Sequence, residues 1–481
     1  MWARSTSAGA RRIPVSLLLS ATEFWERFTY YGLRALLVLF LVAPAGTGGL
    51  GLKDADAASI YGLFAASAWL SGLPGGWIAD RWLGPVRAIW AGGGLICGGN
   101  LLLCVAPTLG TVAGGLGLIV AGVGLLKPSA LTLVARAAVV DSMGVDAAFT
   151  VVYTGINIGG IAGPLIGAAL AATTGWRGGF AAAAIGMLIG LVVFQRVARR
   201  LPPAAASTVA LTRLDISKVL IGIAVVVTAC VLVQPSILLR LVTVIVVVAS
   251  ATGFAVLARE CRDGAERKRL GLFLGLFFGA SLFWAAGEQA GASLTLFAER
   301  FTIRQVWGYT FPAPWYTALY PFCVVLLAPA FAWGWQRLAA RNIEFPILAK
   351  FGAGLLLAAL GLGLASVAAH RASVAPVGPG WLAGTYLLIA VGDLFVAPTG
   401  LAAVTRLVPP GRAGFATGLF LLSLSLGGLT AGLTTSMFDM SRASGHASLL
   451  GTVAMVLSVA AFAFLLVGLR RRFRLTLYLL R

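Results

Sequence analysis

The first long apolar stretch of the chain, residues 15–42, carries four charged side chains and a tyrosine on one face: Glu23, Glu26, Arg27, Arg34 and Tyr30. At 100° per residue these positions fall within about 100° of arc, so one face of a helix carries them all. A charge at the centre of a bilayer costs roughly 2.5 to 3.5 kcal/mol, so this face must meet a polar partner or a water-filled cavity. Carboxylates and cations so placed can bind ions and pass protons, which predicts a functional path beside the helix.

Later apolar stretches carry four more polar residues: Lys127, Asn157, Glu288 and Asp393. Within the predicted spans, four acids (Glu23, Glu26, Glu288, Asp393) against three bases (Arg27, Arg34, Lys127) leave a formal charge of −1. One proton would neutralise this excess, since burial disfavours the charged form of a carboxyl group. His370 and His446, the two histidines, fall in predicted loops. Proton transfer inside the membrane is therefore expected to use carboxylates.

The composition predicts the elements that must position these residues. The chain has 481 residues, of which 59% are hydrophobic and 11% are charged, with a mean hydropathy of +0.95. Soluble domains carry about 25% charged residues, so we expect an all-α membrane protein. The net charge of +20 does not indicate a nucleic-acid partner, because the basic residues form short clusters between apolar stretches.

Apolar runs of membrane-spanning length predict fourteen helices, and most of the 36 Lys and Arg residues then lie on one side. The positive-inside rule places both termini in the cytoplasm, in a multi-pass protein of the cell membrane. The excess of arginine over lysine indicates a bacterial source with a GC-rich genome. The predicted spans are 15–43, 58–79, 86–105, 108–135, 147–173, 179–198, 216–235, 238–258, 271–297, 313–336, 347–369, 381–408, 412–437 and 447–469.

The spans divide into six, two and six. We expect an N-terminal six-helix bundle over 1–201, a linker with a lipid-facing two-helix insert over 202–269, and a C-terminal six-helix bundle over 270–481. Two bundles with a binding site between them near the midplane are typical of a transporter. The five cysteines show no metal-site spacing. The sequence has no nucleophile paired with a base and no cofactor motif, so neither an enzyme nor a metal or cofactor site is expected.

Four short motifs occur in order along the chain: residues 23–32 (EFWERFTYYG), 75–84 (GGWIADRWLG), 153–159 (YTGINIG) and 283–289 (FWAAGEQ). They resemble the first-helix ExxER motif, the loop between the second and third helices, and the fifth- and seventh-helix signatures of the proton-dependent oligopeptide transporters. That family is a branch of the major facilitator superfamily, and its bacterial members also carry a two-helix insert. The resemblance implies the major facilitator fold and import of short peptides with protons.

The resemblance also implies roles for the buried charges. Lys127 would join Glu23, Glu26 and Arg27 in a cluster that couples proton and peptide movement, with Glu288 as a further proton-coupling residue. Arg34 and Glu288 would form a salt bridge that closes the outer gate. Asp393 would bind the substrate amino terminus and alternate with a pair to Lys127. A static ion network and a packing carboxylate are the respective structural alternatives.

Other residues are assigned to substrate binding or gating by the same resemblance. Tyr30, Arg34 and Lys127 would contact the substrate, and Asn157 could hydrogen-bond a peptide backbone or join two helices. Tyr320, Trp69 and Phe420 differ from the Asn, Tyr and Trp usual in the family. This predicts a pocket wall that is larger and less polar at two sites, unless these aromatic residues face lipid or only pack. Asp80 and Arg81 would form a cytoplasmic latch.

We therefore predict a proton-coupled symporter that imports di- and tripeptides or peptide-like zwitterions by alternating access. Its expected partners are a short peptide, protons as the coupling ion and the lipid bilayer, and it should work as a monomer without nucleic acid. Two alternatives stay open: a facilitator for another solute or drug with an amine and a carboxylate, and a peptide receptor that does not transport. Lys127 and Arg34 argue against efflux of cationic drugs.

Overall fold

The computed structural model describes residues 13–105, 108–201, 212–306, 308–341, 343, 345–409 and 411–479. These residues form helices and one short β-hairpin. The strands are β1 (Gln305–Val306) and β2 (Tyr309–Thr310), which pair antiparallel. The helices are α1 (Val15–Val42), α2 (Asp54–Leu70), α3 (Gly72–Ile78), α4 (Pro85–Cys104), α5 (Leu109–Val140), α6 (Val145–Thr174), α7 (Trp176–Ala198), α8 (Arg213–Leu232), α9 (Pro235–Glu260), α10 (Gly264–Glu288), α11 (Ser293–Phe301), α12 (Trp315–Ala340), α13 (Ile347–Ala372), α14 (Gly380–Leu407), α15 (Ala413–Ser436) and α16 (Ala443–Leu479).

Within the described part of the chain, twelve helical segments are long and apolar enough to cross a membrane. Two predicted spans fall outside that set for identifiable reasons. The 28-residue α1 carries four charges, and the second span is divided into α2, α3 and a π-helical turn, Ala79–Leu83. With these two included, the fourteen predicted spans correspond to the helices of the structure.

The ninth predicted span is interrupted where its sequence carries a charge. Helix α10 ends at Glu288, a 3-10 turn covers Gln289–Gly291, and α11 continues to Phe301. A helix break leaves backbone carbonyls free to bind a neighbouring donor. Glu288 therefore lies at an irregular point of the span, beside carbonyl groups that another helix can reach.

The helices form two packed groups, α1–α7 and α10–α16, with α8 and α9 largely exposed. One face of the molecule carries the β-hairpin and the connection from α1 to α2, and we call it the hairpin side. The opposite face, the terminal side, carries the start of α1, where Arg200 donates a hydrogen bond to the Ile13 carbonyl. The exposed pair α8–α9 agrees with the predicted lipid-facing insert.

Small residues let α6 approach the back of α1. Gly155, Gly159 and Gly163, spaced four apart, form one face of α6. A Cβ added at Gly159 or Gly163 would collide with the carbonyl oxygen of Phe24 or Phe28. This close packing fixes one side of α1 and leaves its charged face for other helices.

The two helix groups also contact each other directly. Gly62 of α2 lies against Gly432 of α15, where a Cβ would come within 2.6 Å of the Gly432 Cα. The Trp315 indole N–H of α12 donates to the Leu165 carbonyl of α6 at 3.0 Å. These contacts place α1 and α2 beside α10, α12 and α15, which positions the site described below.

The structure corrects the prediction that both histidines lie in loops. His370 is in the last turn of α13 and is exposed, but His446 is inside α16 and fully buried. The ring of His446 packs near Phe297 and Phe301. The prediction from apolar runs did not include the first turn of α16, because this turn is polar and the apolar run begins only after it.

Asp141 caps α1 from another helix. Pro14 precedes α1 and makes no side-chain cap, so the first backbone N–H groups need an acceptor from elsewhere. Asp141, just after α5, accepts the N–H of Val15 at 2.8 Å and that of Ser16 at 2.7 Å. Burial favours a higher pKa for Asp141, but the hydrogen bonds from Ser16 and Val15 and the nearby Arg200 outweigh it and lower the pKa.

We expect Asp141→Ala to destabilise the protein by about 1 kcal/mol, the typical cost of a lost helix cap. The apparent melting temperature in detergent should fall measurably, while Asp146→Ala, which removes an exposed carboxylate from the first turn of α6, should change it less. A carboxylate with a lowered folded-state pKa stabilises the fold above its unfolded pKa of about 3.9 and loses this effect as pH falls. The difference between wild type and Asp141→Ala should therefore shrink at acidic pH. Equal melting temperatures at neutral pH would contradict the capping role.

Candidate functional site

The charged face of α1 forms a buried ion cluster with α5. Arg27 donates through Nε and Nη2 to the two carboxylate oxygens of Glu26, at 2.6 and 2.9 Å. Lys127 Nζ lies 2.6 Å from Glu23 Oε2 and 2.5 Å from Glu26 Oε2. Two acids and two bases make this cluster formally neutral. The structure thus brings together the four residues that the sequence assigned to one cluster.

The second ion pair lies further along α1, towards the hairpin side. Arg34 Nη2 is 3.0 Å from Glu288 Oε2, and it also donates to the Gly287 carbonyl at 3.3 Å. Both side chains are nearly buried. The pair joins α1 to the end of α10, so it links the two helix groups as predicted.

A cavity lies beside this pair, between the two helix groups. It contains about 660 Å³ of space, part of it open to solvent. Helices α1 and α2 contribute one wall, and α10, α12 and α15 contribute the other. Its polar and aromatic lining residues are Tyr30, Tyr31, Arg34, Trp69, Trp284, Glu288, Thr317 and Tyr320. Two opposite charges and several large rings suit a small zwitterion with apolar parts.

Asp393 belongs to the second helix group and is buried in α14, with 6% of its surface exposed. Its carboxyl group interacts with the Tyr320 hydroxyl, and its Oδ1 atom has no hydrogen-bond partner. Among the described residues, no cation lies within ion-pair distance of Asp393. Lys127, its predicted alternating partner, instead contacts Glu23 and Glu26. The predicted exchange between these partners stays a prediction.

The remaining predicted substrate residues take different positions. Trp69 and Tyr320 line the cavity, as does Tyr30, whose ring lies 4.7 Å from the Arg27 guanidinium carbon. Asn157 donates its amide to the Tyr153 carbonyl of its own helix at 2.9 Å. This bond occupies a donor of Asn157 within α6, and substrate contact stays a prediction.

Phe420 does not line this cavity. It is buried in α15, and its ring fills the space that a Cβ on Gly400 of α14 would occupy. In this conformation Phe420 packs two helices of the second group together, and its assignment to the pocket wall stays a prediction. Leu424, one turn later, lines the cavity instead.

Asp80 and Arg81 lie in the π-helical turn and are both exposed. Within the part of the chain that is described, neither is in an ion pair, so the latch role stays a prediction. Gly76 does permit close approach, since a Cβ there would lie 3.2 Å from Pro128 of α5. Gly84 serves a turn, because its φ of +73° lies in the region that favours glycine.

Sequence reasoning missed several polar contacts. The Tyr61 hydroxyl lies between Arg34 and Glu288. Arg300 forms a two-bond ion pair with Asp54 at 2.6 and 2.7 Å. This pair joins α11 to the start of α2, so it also links the two helix groups on the hairpin side. The cavity position of Trp284 could have been predicted from the sequence, because Trp284 precedes Glu288 by one helical turn and so shares its helix face.

The ion cluster predicts unequal effects of two similar substitutions. Glu26→Gln removes the carboxylate that binds Arg27, which is 5% exposed, and should destabilise the protein by about 3 kcal/mol. Glu23→Gln should cost less, because Lys127 keeps its contact with Glu26. The measurement is the apparent melting temperature of detergent-purified protein, and equal losses for the two variants would contradict this division of partners.

Comparison with known proteins identifies the family. The sequence model of the POT family (PTR2) matches residues 87–451. The chain is 34% identical to the peptide transporter YePEPT of Yersinia enterocolitica subsp. palearctica serotype O:3, over 94% of each. It is 30% identical to a di-/tripeptide transporter of Lactococcus lactis subsp. cremoris, over 82% of this chain and 83% of that one. It superposes on a crystal structure of the peptide transporter POT in complex with sulfate with a TM-score of 0.86, at 30% identity and 96% coverage of each chain. These similarities confirm the all-α membrane fold with two six-helix bundles and a two-helix insert, and the chain belongs to the POT family.

Proposed function

We propose that this chain is a proton-coupled symporter that imports short peptides by alternating access. The observation that carries the proposal is the Arg34–Glu288 ion pair, which both lines the cavity and joins the two helix groups. A group that binds substrate and also closes the cavity can couple binding to conformational change. The relatives are named as peptide transporters, which supports the substrate class.

The pairing of charges supports a specific division of labour. The cluster around Lys127 is neutral by itself, and so is the Arg34–Glu288 pair. The formal excess of −1 among the buried charges therefore falls on Asp393. We infer that the substrate ammonium group neutralises Asp393, while the substrate carboxylate binds the cations of the first helix group. A proton on Glu288 would release Arg34 for that contact.

The proposal includes an orientation. The hairpin side faces outwards and the terminal side faces the cytoplasm of a bacterial cell, with the bundles divided as 1–201, 202–269 and 270–481. Basic residues of the terminal side support this, such as Arg196 in the last turn of α7 and Arg199 and Arg200 just after it. The proton is the only coupling ion proposed, and the chain is proposed to act as a monomer without enzymatic activity.

Substrate choice is expected to follow the aromatic lining. Trp69, Trp284 and Tyr320 add large rings to a cavity with one ion pair, so peptides with apolar side chains should compete best. A facilitator of another amino- and carboxylate-bearing solute, or a receptor that binds peptides without transport, are the alternatives. Flux and competition measurements distinguish them.

In proteoliposomes with an inward proton gradient, the wild type should accumulate a labelled dipeptide. Glu288→Gln liposomes should accumulate at least about tenfold less dipeptide than wild-type liposomes, because the variant lacks the charge that a proton would neutralise. They should still exchange dipeptide across the membrane. Glu299→Gln is a matched control, since Glu299 pairs with Arg304 near the hairpin and not with the other helix group. Intact accumulation by Glu288→Gln would show that this residue does not couple the proton.

The same liposomes test the substrate class. Dipeptides and tripeptides should inhibit uptake, and free amino acids should inhibit poorly. If no peptide-like compound competes, the proposed substrate is wrong. The alternative of a facilitator for another solute would then stand. Peptide binding without flux in the wild type would favour the receptor.

Asp393→Asn should selectively weaken recognition of the substrate amine. The concentration of a free dipeptide that halves uptake should rise at least about tenfold, because a buried charge pair is lost. An N-acetylated dipeptide has no ammonium group, so its weaker inhibition should change little. Equal changes for both compounds would contradict the role given to Asp393.

A further inference from the structure

Tyr61 lies between the two members of the Arg34–Glu288 pair. It belongs to α2 and is fully buried. Its hydroxyl oxygen accepts from Arg34 Nε at 2.6 Å, and the hydroxyl donates to Glu288 Oε2 at 2.7 Å. Arginine can only donate and an ionised carboxylate can only accept, so the direction of both hydrogen bonds is fixed.

In the Arg34–Glu288 pair, Nη2 of Arg34 lies 3.0 Å from Oε2 of Glu288. Arg34 uses Nη2 for Glu288, and its Nε is bound to Tyr61. The Arg300–Asp54 pair near the rim shows the alternative, with two guanidinium nitrogens on two carboxylate oxygens. At the buried pair, the phenol supplies the second connection between cation and carboxylate.

The packing of Tyr61 fixes the position of its hydroxyl. A Cβ on Gly291, in the turn after α10, would collide with the Tyr61 ring. The next residue, Gly62, lies against Gly432 of α15. The ring thus lies against the turn after α10, and the backbone next to it lies against α15. A phenylalanine would keep both contacts.

We propose that Tyr61 is a positioning residue of the gate between the two helix groups, holding Glu288 Oε2 against Arg34 in the closed state. The proposal rests on the proposed function, because the Arg34–Glu288 pair is a gate only if the protein transports its substrate. Without the hydroxyl, no acceptor among the described residues remains for the buried Nε of Arg34. Arg34 is then the one described side chain that still donates to the Glu288 carboxylate. The bond from the phenol to Glu288 joins the two helix groups and requires the closed arrangement, whereas its bond to Arg34 lies within the first group. Loss of the bond to Glu288 therefore favours opening on the hairpin side.

Pulsed electron paramagnetic resonance distances can test this in lipid nanodiscs. Spin labels at Gly46 and Val374 report on the two helix groups, since both positions are exposed on the hairpin side. The five native cysteines are first replaced. Tyr61→Phe should raise the ratio of the long-distance to the short-distance population about tenfold, equivalent to about 1.4 kcal/mol. Tyr316→Phe is the matched control, because Tyr316 is buried and its hydroxyl has no partner in the described structure.

A double-mutant cycle with Glu288→Gln separates positioning from general destabilisation. In the Glu288→Gln background, Tyr61→Phe should add little, because the carboxylate that it positions is already gone. Tyr61→Gln offers both an acceptor and a donor, so it should raise the ratio of long-distance to short-distance populations less than Tyr61→Phe does. It replaces Tyr61→Phe in the experiment if that variant does not fold. Additive effects, or a wild-type distance distribution in folded Tyr61→Phe, would overturn the proposal. The distances need no substrate, so failure of the wild type to transport dipeptides would affect only the proposed function.

Discussion

The buried charges of this protein must be neutralised by one another, and the rest of the structure follows from that constraint. An unpaired ion in a low-dielectric interior costs several kcal/mol, so each charge on α1 needs a partner. Glu23 and Glu26 meet Lys127 of α5, Arg27 pairs with Glu26 of α1 itself, and Arg34 meets Glu288 of α10. One charge, Asp393, is left without a cation among the described residues.

Helix packing supplies the geometry that this pairing requires. The glycine face of α6 holds one side of α1, so the charged side can turn towards α5 and α10. The break after Glu288 exposes the Gly287 carbonyl, which accepts from Arg34 at 3.3 Å. An uninterrupted helix would use that carbonyl internally. The polar contacts that join the two helix groups therefore depend on small residues and on one irregular turn.

The sequence was sufficient for the helices and for the residues that share a helix face, because both leave a periodic signal. The span 15–43 corresponds to α1, and its charged face was visible from the spacing alone. Pairs between distant helices leave no such signal: Tyr61 is 27 residues from Arg34, and Asp54 is 246 residues from Arg300. The orientation of Phe420 has no such signal either. Its helix was predicted, but the choice between facing the cavity and facing Gly400 depends on tertiary packing.

Charge pairing also restricts how such a site can change conformation. Breaking a buried ion pair without a replacement costs about 3 to 5 kcal/mol, so each step must exchange partners. Arg34 can leave Glu288 at low cost only if another anion reaches it and Glu288 becomes neutral. Among the described residues, Asp393 has no cation partner and its Oδ1 no hydrogen-bond donor. A zwitterion that brings a carboxylate to one wall and an ammonium group to the other satisfies both needs at once, whereas a solute with a single charge leaves one of them unpaired.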